Sequence, residues 1–200
     1  MSLAFGCKTK KLLMDKNYDT ILLTGPPGVG KTTLVKKICD ELRMSHKVYG
    51  FITEEVRSEQ AFTRIGFDVV TLSGARCILA REQSRMNDRM PIVGKYSVNV
   101  SDFENLIVPL LCPKSKKDLL IIDEIGTMEL KSKRFQKALN DVIHKTPIFA
   151  TIPCHSHRKN NILEHIKSSP ATRIFEITKN NRNIVQNDIV NCIKNMLRKN

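Results

Sequence analysis

The sequence predicts an α/β fold with a mostly parallel central sheet flanked by helices. Segments that suit strands alternate with segments of helical periodicity along most of the chain. Residues 119–122 form a run of four apolar residues, LLII, which is typical of a central strand covered on both faces. No linker rich in Gly, Ser or Pro divides the 200 residues. We therefore expect one domain at 20–200, preceded by an N-terminal extension at 1–19.

In the N-terminal half, the expected order is a strand, a helix, a second strand and then hairpins. The strand at 20–24 precedes a helix with an apolar stripe at Leu34, Ile38 and Leu42. A second strand is expected at 47–56. From there to about residue 100 the apolar pattern is short and alternating, with interruptions at Gly66, Gly74 and Gly94. This pattern predicts a β-hairpin insertion at about residues 50–100.

In the C-terminal half, helices and strands alternate again. A helix is expected at 101–111, where Ser101 and Glu104 have the spacing of a capping box and Pro109 can bend the chain. Its inward-facing residues are Phe103, Leu106, Ile107 and Leu110. After the strand at 119–123, the pattern predicts a helix at 133–145, a strand at 147–153, a short helix at 160–168 and a strand at 172–178. The last helix has one broad apolar face, formed by Ile184, Ile189, Ile193 and Leu197.

A phosphate-binding loop is the clearest functional motif in the chain. Residues 25–32, GPPGVGKT, satisfy the pattern G-x-x-x-x-G-K-[ST], and they lie between a predicted strand and a predicted helix. In such a loop, backbone N–H groups and the positive end of the helix dipole converge on phosphate oxygens. We expect Lys31 to contact the β- and γ-phosphates, Thr32 to ligate Mg²⁺, and Thr33 to hold the α-phosphate side.

Two acidic residues follow the apolar strand at 119–122. Asp123 is expected at the same sheet edge as the loop, where it can hold Mg²⁺ through water. Glu124 can orient and deprotonate a water molecule in line with the γ-phosphate, which is the step that distinguishes hydrolysis from binding. Glu129 has two possible roles: it contacts the metal shell, or it caps the next turn.

Composition excludes several classes of protein. No apolar segment reaches the 18 residues that a membrane span needs, and the six cysteines are widely scattered. We therefore expect a soluble, cytoplasmic monomer with reduced thiols. The net charge is +13, and residues 158–200 hold nine basic and three acidic residues. This excess predicts either weak nucleic-acid binding or a basic solvated surface, and no nucleic-acid motif favours the first.

Several segments together resemble a known family, the P-loop nucleoside-triphosphatases that include thermophilic bacterial and archaeal enzymes and the vertebrate cancer-related nucleoside-triphosphatase. The likeness extends over residues 20–183. It rests on TGPPGVGKTTL (24–34), GFITEEVR (50–57), RIGFDVVTLSGARCILAR (64–81), VGKYSVNV (93–100), IIDEIGTMEL (121–130), ATIP (150–153) and NNRN (180–183). Two features depart from the family pattern, namely the longer, charged segment at 82–92 and the nineteen residues before the first strand.

The resemblance implies a RecA-like fold and slow, Mg²⁺-dependent hydrolysis of ATP, GTP and other nucleoside triphosphates, with loose base specificity. It also implies two nucleotide-contacting elements. The first consists of Gly25, Pro26, Pro27, Gly28, Val29, Gly30, Lys31, Thr32 and Thr33. The second consists of Leu119, Leu120, Ile121, Ile122, Asp123, Glu124, Ile125 and Gly126.

An arginine is also expected to contact the γ-phosphate as negative charge shifts during cleavage. The candidates are Arg57, Arg64, Arg76 and Arg81 in the hairpin region, and Arg182 in the NNRN segment. Arg182 and Arg64 are favoured.

The sequence is also compatible with two other functions. Arg81, Arg85 and Arg89 would share one face of a helix, as in nucleotide kinases that pass the γ-phosphate to an acceptor. Glu124 argues against a kinase, since a transferase must exclude water. The basic C-terminal segment suggests, as a third possibility, a nucleic-acid-binding protein switched by nucleotide.

Overall fold

The computed structural model of the chain describes residues 17–82, 89–112, 115, 117–154 and 160–199. Most of the predicted N-terminal extension, and the middle of the charged segment at 82–92, lie outside these residues. The strands are β1 (Thr20–Thr24), β2 (Val48–Arg57), β3 (Arg64–Thr71), β4 (Arg76–Glu82), β5 (Ile92–Val93), β6 (Tyr96–Val98), β7 (Leu119–Asp123), β8 (Ile148–Thr151) and β9 (Thr172–Glu176). The α-helices are α1 (Lys31–Arg43), α2 (Val100–Ile107), α3 (Lys133–Val142), α4 (Asn161–Ser168) and α5 (Gln186–Lys199), and short 3₁₀ helices lie at Val108–Leu111 and Glu129–Lys131.

All the described strands join in one sheet, in the order β5-β6-β4-β3-β2-β7-β8-β1-β9. Strands β2, β7, β8, β1 and β9 pair in parallel. Strands β3, β4, β6 and β5 extend the sheet from β2 in antiparallel hairpins. The predicted α/β class with a mostly parallel central sheet is confirmed. Because β8 lies between β1 and β7, the carboxyl ends of these three strands meet at one edge of the sheet.

Helices cover both faces of the sheet, and a separate hydrophobic core lies under each face. On one face α1 and α5 bury Ile38 and Ile193 against Ile121. On the other face α2, α3 and α4 pack over a cluster in which Phe103 and Phe135 meet edge to face, with ring centroids 5.2 Å apart. The side chains of β7 alternate between the two cores, and this alternation explains why all its positions before the aspartate are apolar.

The helix termini differ from the sequence-based predictions in three details. The residue that caps α2 is Asn99, whose side chain accepts a hydrogen bond from the Asp102 N–H, so the predicted capping box at Ser101 is wrong. Asn99 directly follows β6 and caps the N-terminus of the helix, which therefore begins before Ser101. The predicted bend is present, since Pro109 lies in the 3₁₀ helix that follows α2.

The other two differences concern α3 and α5. Helix α3 ends at Val142 instead of residue 145, because Ile143 has a non-helical ψ of 137° and His144 follows with a left-handed φ of 63°. Ile184 precedes α5 and is 74% exposed, whereas the other three residues of the predicted apolar face are buried. Within the described part of the chain, the helices are too short or too polar to cross a membrane.

Candidate active site

The phosphate loop connects β1 to α1, as its sequence predicts. Helix α1 begins after Gly30, which has φ of 106° and no side chain that could cap the helix. The first N–H groups of α1 and the positive end of its dipole therefore face the loop. The Lys31 ammonium donates to the carbonyl oxygens of Gly25 at 2.9 Å and Pro26 at 3.4 Å. Val29 is buried in the hydrophobic core on the α1 side of the sheet and fixes the loop to it.

The segment after β9 packs directly against this loop. A side chain at Gly25 would overlap the carbonyl oxygen of Ile177, and the Ile177 N–H donates to the Thr24 carbonyl at 2.7 Å. Nη1 of Arg182 donates to the Val29 carbonyl at 3.1 Å. The structure thus places Arg182 beside the phosphate loop, where its remaining guanidinium donors can reach a bound anion.

The other predicted arginines lie on the hairpins and form ion pairs there. Arg64 contacts Glu55 at 2.5 Å, and its guanidinium lies over the ring of Phe67. Arg81 lies within strand β4 and forms an ion pair with Asp68 at 2.6 Å. The chain at Arg81 is therefore a strand, and not the helix that was considered for Arg81 to Arg89. Residue 85 of that proposed helix lies outside the described residues.

Asp123 ends β7 at the edge of the sheet that carries the phosphate loop. Its side chain is 2% exposed, and Oδ1 accepts a hydrogen bond of 2.5 Å from the Thr151 hydroxyl at the end of β8. Burial raises the pKa of Asp123, whereas the hydroxyls of Thr151 and Thr32 and the charge of Lys31 lower it. The aspartate therefore lies close to the two loop residues that were expected to share its site.

The donors at this point suit a magnesium ion that also binds phosphate. Oδ2 of Asp123 is buried and has no hydrogen-bond partner among the residues that the structure describes. Mg²⁺ commonly uses one or two protein oxygens and takes its other ligands from substrate phosphates and water. Within the described ranges, there is no group of three or more Asp, Glu, His or Cys side chains that could hold a metal ion. Asp123 and the Thr32 hydroxyl therefore fit this cation.

Glu124 follows Asp123 and is partly buried. The next residue, Ile125, donates its N–H to the Thr151 carbonyl at 2.9 Å, which fixes the chain immediately after Glu124. Burial raises the pKa of Glu124, the Lys31 charge lowers it and the Asp123 charge raises it. A carboxylate whose proton affinity is raised in this way can accept a proton from a water molecule near the loop.

Glu129 lies beneath these residues, with 4% of its surface exposed. Its Oε2 accepts from the Gly126 N–H at 3.1 Å, and its Oε1 accepts from the Thr53 hydroxyl at 3.2 Å. Burial, followed by the charge of Glu124, raises the pKa of Glu129 to about 8. Of the two roles considered for Glu129, these contacts favour capping of the turn.

Four of the other predicted contact residues lie in the core. Leu119, Leu120, Ile121 and Ile122 are all 0% exposed, so their side chains are enclosed between the two faces of the sheet and do not reach the loop surface. Two hydroxyls that contact the acidic residues, those of Thr53 and Thr151, had no predicted role. Both lie in segments of the family resemblance, GFITEEVR and ATIP, and each stands at the level where β7 ends.

The fold and this site together define a P-loop α/β protein with an acidic pair opposite the loop. A family model described as NTPase matches residues 20–190. The chain therefore belongs to this family, and the resemblance noted in its sequence is confirmed.

Known proteins of similar sequence cover nearly the whole chain. Nucleoside-triphosphatase THEP1 of Aquifex aeolicus is 37% identical over 182 residues, which cover 87% of this chain and 98% of that protein. The human cancer-related nucleoside-triphosphatase is 42% identical over 184 residues, which cover 87% of this chain and 96% of that protein.

Two solved structures are similar in fold. The crystal structure of THEP1 from Aquifex aeolicus matches with a TM-score of 0.73 at 37% identity, covering 85% of this chain and 96% of that one. The solution structure of a human cancer-related nucleoside triphosphatase matches with a TM-score of 0.75 at 42% identity, covering 88% of this chain and 97% of that one. The core architecture is therefore that of the family.

Proposed function

We propose that this protein is a phosphoanhydride hydrolase that converts nucleoside 5′-triphosphates to the diphosphate and phosphate, with Mg²⁺ and with loose base specificity. The named relatives are nucleoside-triphosphatases, which supports the reaction class. The observation that carries the proposal is that Asp123 and Glu124 lie at the carboxyl end of β7, at the sheet edge that carries the phosphate loop and Lys31. A phosphate-binding cation and a pair of acids thus share one site.

Binding is assigned to the loop and to the end of β7. The backbone of residues 25–33 and the Lys31 ammonium bind the phosphates, and the start of α1 adds its dipole. Thr32 and Asp123 would hold Mg²⁺, which when bound would supply positive charge to the phosphate oxygens. Loose base specificity follows if most of the binding energy comes from the triphosphate, which all substrates share.

Chemistry is assigned to Glu124. Its carboxylate accepts a proton from water while the water oxygen forms a bond to the γ-phosphorus, and the bond from that phosphorus to the bridging oxygen of the diphosphate breaks. Arg182, held at the Val29 carbonyl, is the arginine we assign to the triphosphate. Its fixed charge stabilises the negative charge that shifts during cleavage.

Phosphate release from ATP, GTP, CTP and UTP, with Mg²⁺ and with EDTA, tests the proposal. We expect release from all four with Mg²⁺ and no release with EDTA. Lys31→Ala should abolish turnover, whereas Lys37→Ala, a change to an exposed lysine of the same helix, should not. Glu124→Gln should keep nucleotide binding and reduce phosphate release to a slow residual rate, with Glu59→Gln on the exposed hairpin as its control.

The same assay separates the proposal from the two other functions. Transfer of labelled γ-phosphate to a nucleoside monophosphate or to 5′-hydroxyl RNA, without release to water, would contradict hydrolysis and support a kinase. Filter binding to RNA and DNA at low salt, with and without nucleotide, tests weak nucleic-acid binding by the basic surface. A nucleotide-dependent difference would support the switch, and equal binding would exclude it.

A further inference from the structure

We infer that Glu129 is a positioning residue for Glu124. Together with Thr53, it holds Gly126 in place and so sets the orientation of the carboxylate that accepts the proton of the attacking water. This inference rests on the proposed function, because it assigns Glu129 a part in the same hydrolysis step.

The hydrogen bonds fix Gly126 from both of its backbone groups. Its N–H donates to Glu129 Oε2 at 3.1 Å, and its carbonyl accepts from the Leu130 N–H at 3.0 Å. The other oxygen of Glu129 accepts from the Thr53 hydroxyl on β2, which ties the turn to the sheet. The chain two residues beyond Glu124 is thus held by a buried side chain that is itself held by a neighbouring strand.

The carboxyl groups of the two glutamates lie close together across Gly126. A Cβ atom built on Gly126 would lie 2.8 Å from Glu124 Oε1 and 2.8 Å from Glu129 Oε2. Both distances are too short for a methyl group, so the two carboxyls occupy the space that a side chain at position 126 would need. A displacement of Gly126 would therefore alter the surroundings of both carboxyls.

Burial makes the two glutamates chemically different. Glu129 is 4% exposed, whereas Glu124 is only partly buried and also faces the Lys31 charge. Burial and the proximity of Glu124 favour the neutral form of Glu129. Glu124 is therefore the carboxyl of the pair that a water molecule near the loop can reach, and Glu129 is the one that the fold encloses.

Substitutions at positions 129 and 53 test this inference through kcat and nucleotide affinity measured separately. Glu129→Ala leaves the Gly126 N–H without its side-chain acceptor, so we expect kcat to fall about tenfold or more while KM changes less than about twofold. Glu129→Gln can accept from Gly126 and donate to the Thr53 oxygen, so it should stay within about threefold of the wild type. Thr53→Val should give an intermediate loss of kcat, with Thr63→Val on the exposed hairpin as its control.

A double substitution distinguishes positioning from a merely structural role. If Glu129 acts through Glu124, Glu129→Ala should cause no further loss of single-turnover phosphate release in the Glu124→Gln background. An equal loss in both backgrounds would overturn the inference. So would a parallel loss of kcat and nucleotide affinity, or Glu129→Gln as inactive as Glu129→Ala. If Glu129→Ala does not fold, Thr53→Val in the two backgrounds provides the same comparison.

The failure of the inference differs from the failure of the proposed function. A wild-type protein that releases no phosphate from any triphosphate with Mg²⁺ refutes the proposed function. A wild-type protein that is active, with Glu129→Ala and Thr53→Val equally active, refutes only the role of Glu129.

Discussion

The dependence of stability on pH gives a direct test of the burial of Glu129. Burial raises its pKa from 4.5 to about 8. The folded protein therefore keeps a proton on Glu129 at pH values at which the unfolded chain, where the pKa of this group is 4.5, has released it. The stability associated with this group is fully present below pH 4.5 and is lost as the pH rises through 8.

The expected magnitude follows from these two pKa values. One pKa unit corresponds to about 1.36 kcal/mol, so this group alone lowers the free energy of unfolding by roughly 2.5 kcal/mol between about pH 5 and about pH 7. Glu129→Gln removes the titrating group but keeps a neutral side chain of the same shape. The free energy of unfolding of the variant should therefore fall by roughly 2.5 kcal/mol less over the same interval.

Urea denaturation in EDTA, without nucleotide, measures this difference. The chain contains no tryptophan, so far-UV circular dichroism is the suitable signal. Asp123 and Glu124, whose pKa values burial also raises, contribute in both proteins and largely cancel in the comparison. Glu59→Gln, on the exposed hairpin, should follow the wild type. Parallel loss of stability in the wild type and in Glu129→Gln would refute the reasoning, because it would mean that Glu129 is ionised in the folded state.

Three further substitutions have distinct expected outcomes. Gly126→Ala would place a methyl group 2.8 Å from Glu124 Oε1 and from Glu129 Oε2. We therefore expect kcat to fall at least about tenfold, while the affinity for a fluorescent nucleotide is unchanged. An unaltered kcat would contradict this. Thr151→Val removes a hydrogen bond that lowers the pKa of Asp123. Titration of activity with Mg²⁺ should therefore show that half-maximal rates need about tenfold more of the ion, and the acidic limb of the pH profile of activity should move to higher pH. Phe135→Ala empties a fully buried position and should cost about 3–5 kcal/mol in urea denaturation, with activity retained in the folded fraction.

The sequence alone was sufficient where the signal is local. The phosphate loop depends on residue types at fixed spacing between a strand and a helix, and the structure places it there. The apolar run that ends at Asp123 likewise predicts a buried central strand, and all five of its residues are buried. The error at Ser101 is of a different kind. The sequence pattern favoured Ser101, but the helix begins directly after β6, so the residue that caps it is Asn99, two positions earlier.

The parts of the site that could not be predicted depend on the order of strands in the sheet. Thr53 reaches Glu129 across 76 residues of sequence, because β2 and β7 are neighbours in register. Thr151 reaches Asp123 because β8 is the other neighbour of β7. Periodicity predicts that these strands exist but does not give their order, and a threonine at the end of a strand has no distinctive spacing. The contact of Arg182 with the phosphate loop depends on the same tertiary placement.

The position of the two acids at the end of β7 follows from the burial of that strand. A strand covered on both faces cannot accommodate a charge along its length, because neither core offers a polar partner. Its carboxyl end is the point where hydroxyls from β8 and α1 and the Lys31 ammonium approach, and the electrostatic cost of Asp123 and Glu124 is partly offset there. The raised pKa values show that the offset is incomplete. We therefore expect the affinity for Mg²⁺ to decrease as the pH falls, because a cation and a proton compete for Asp123.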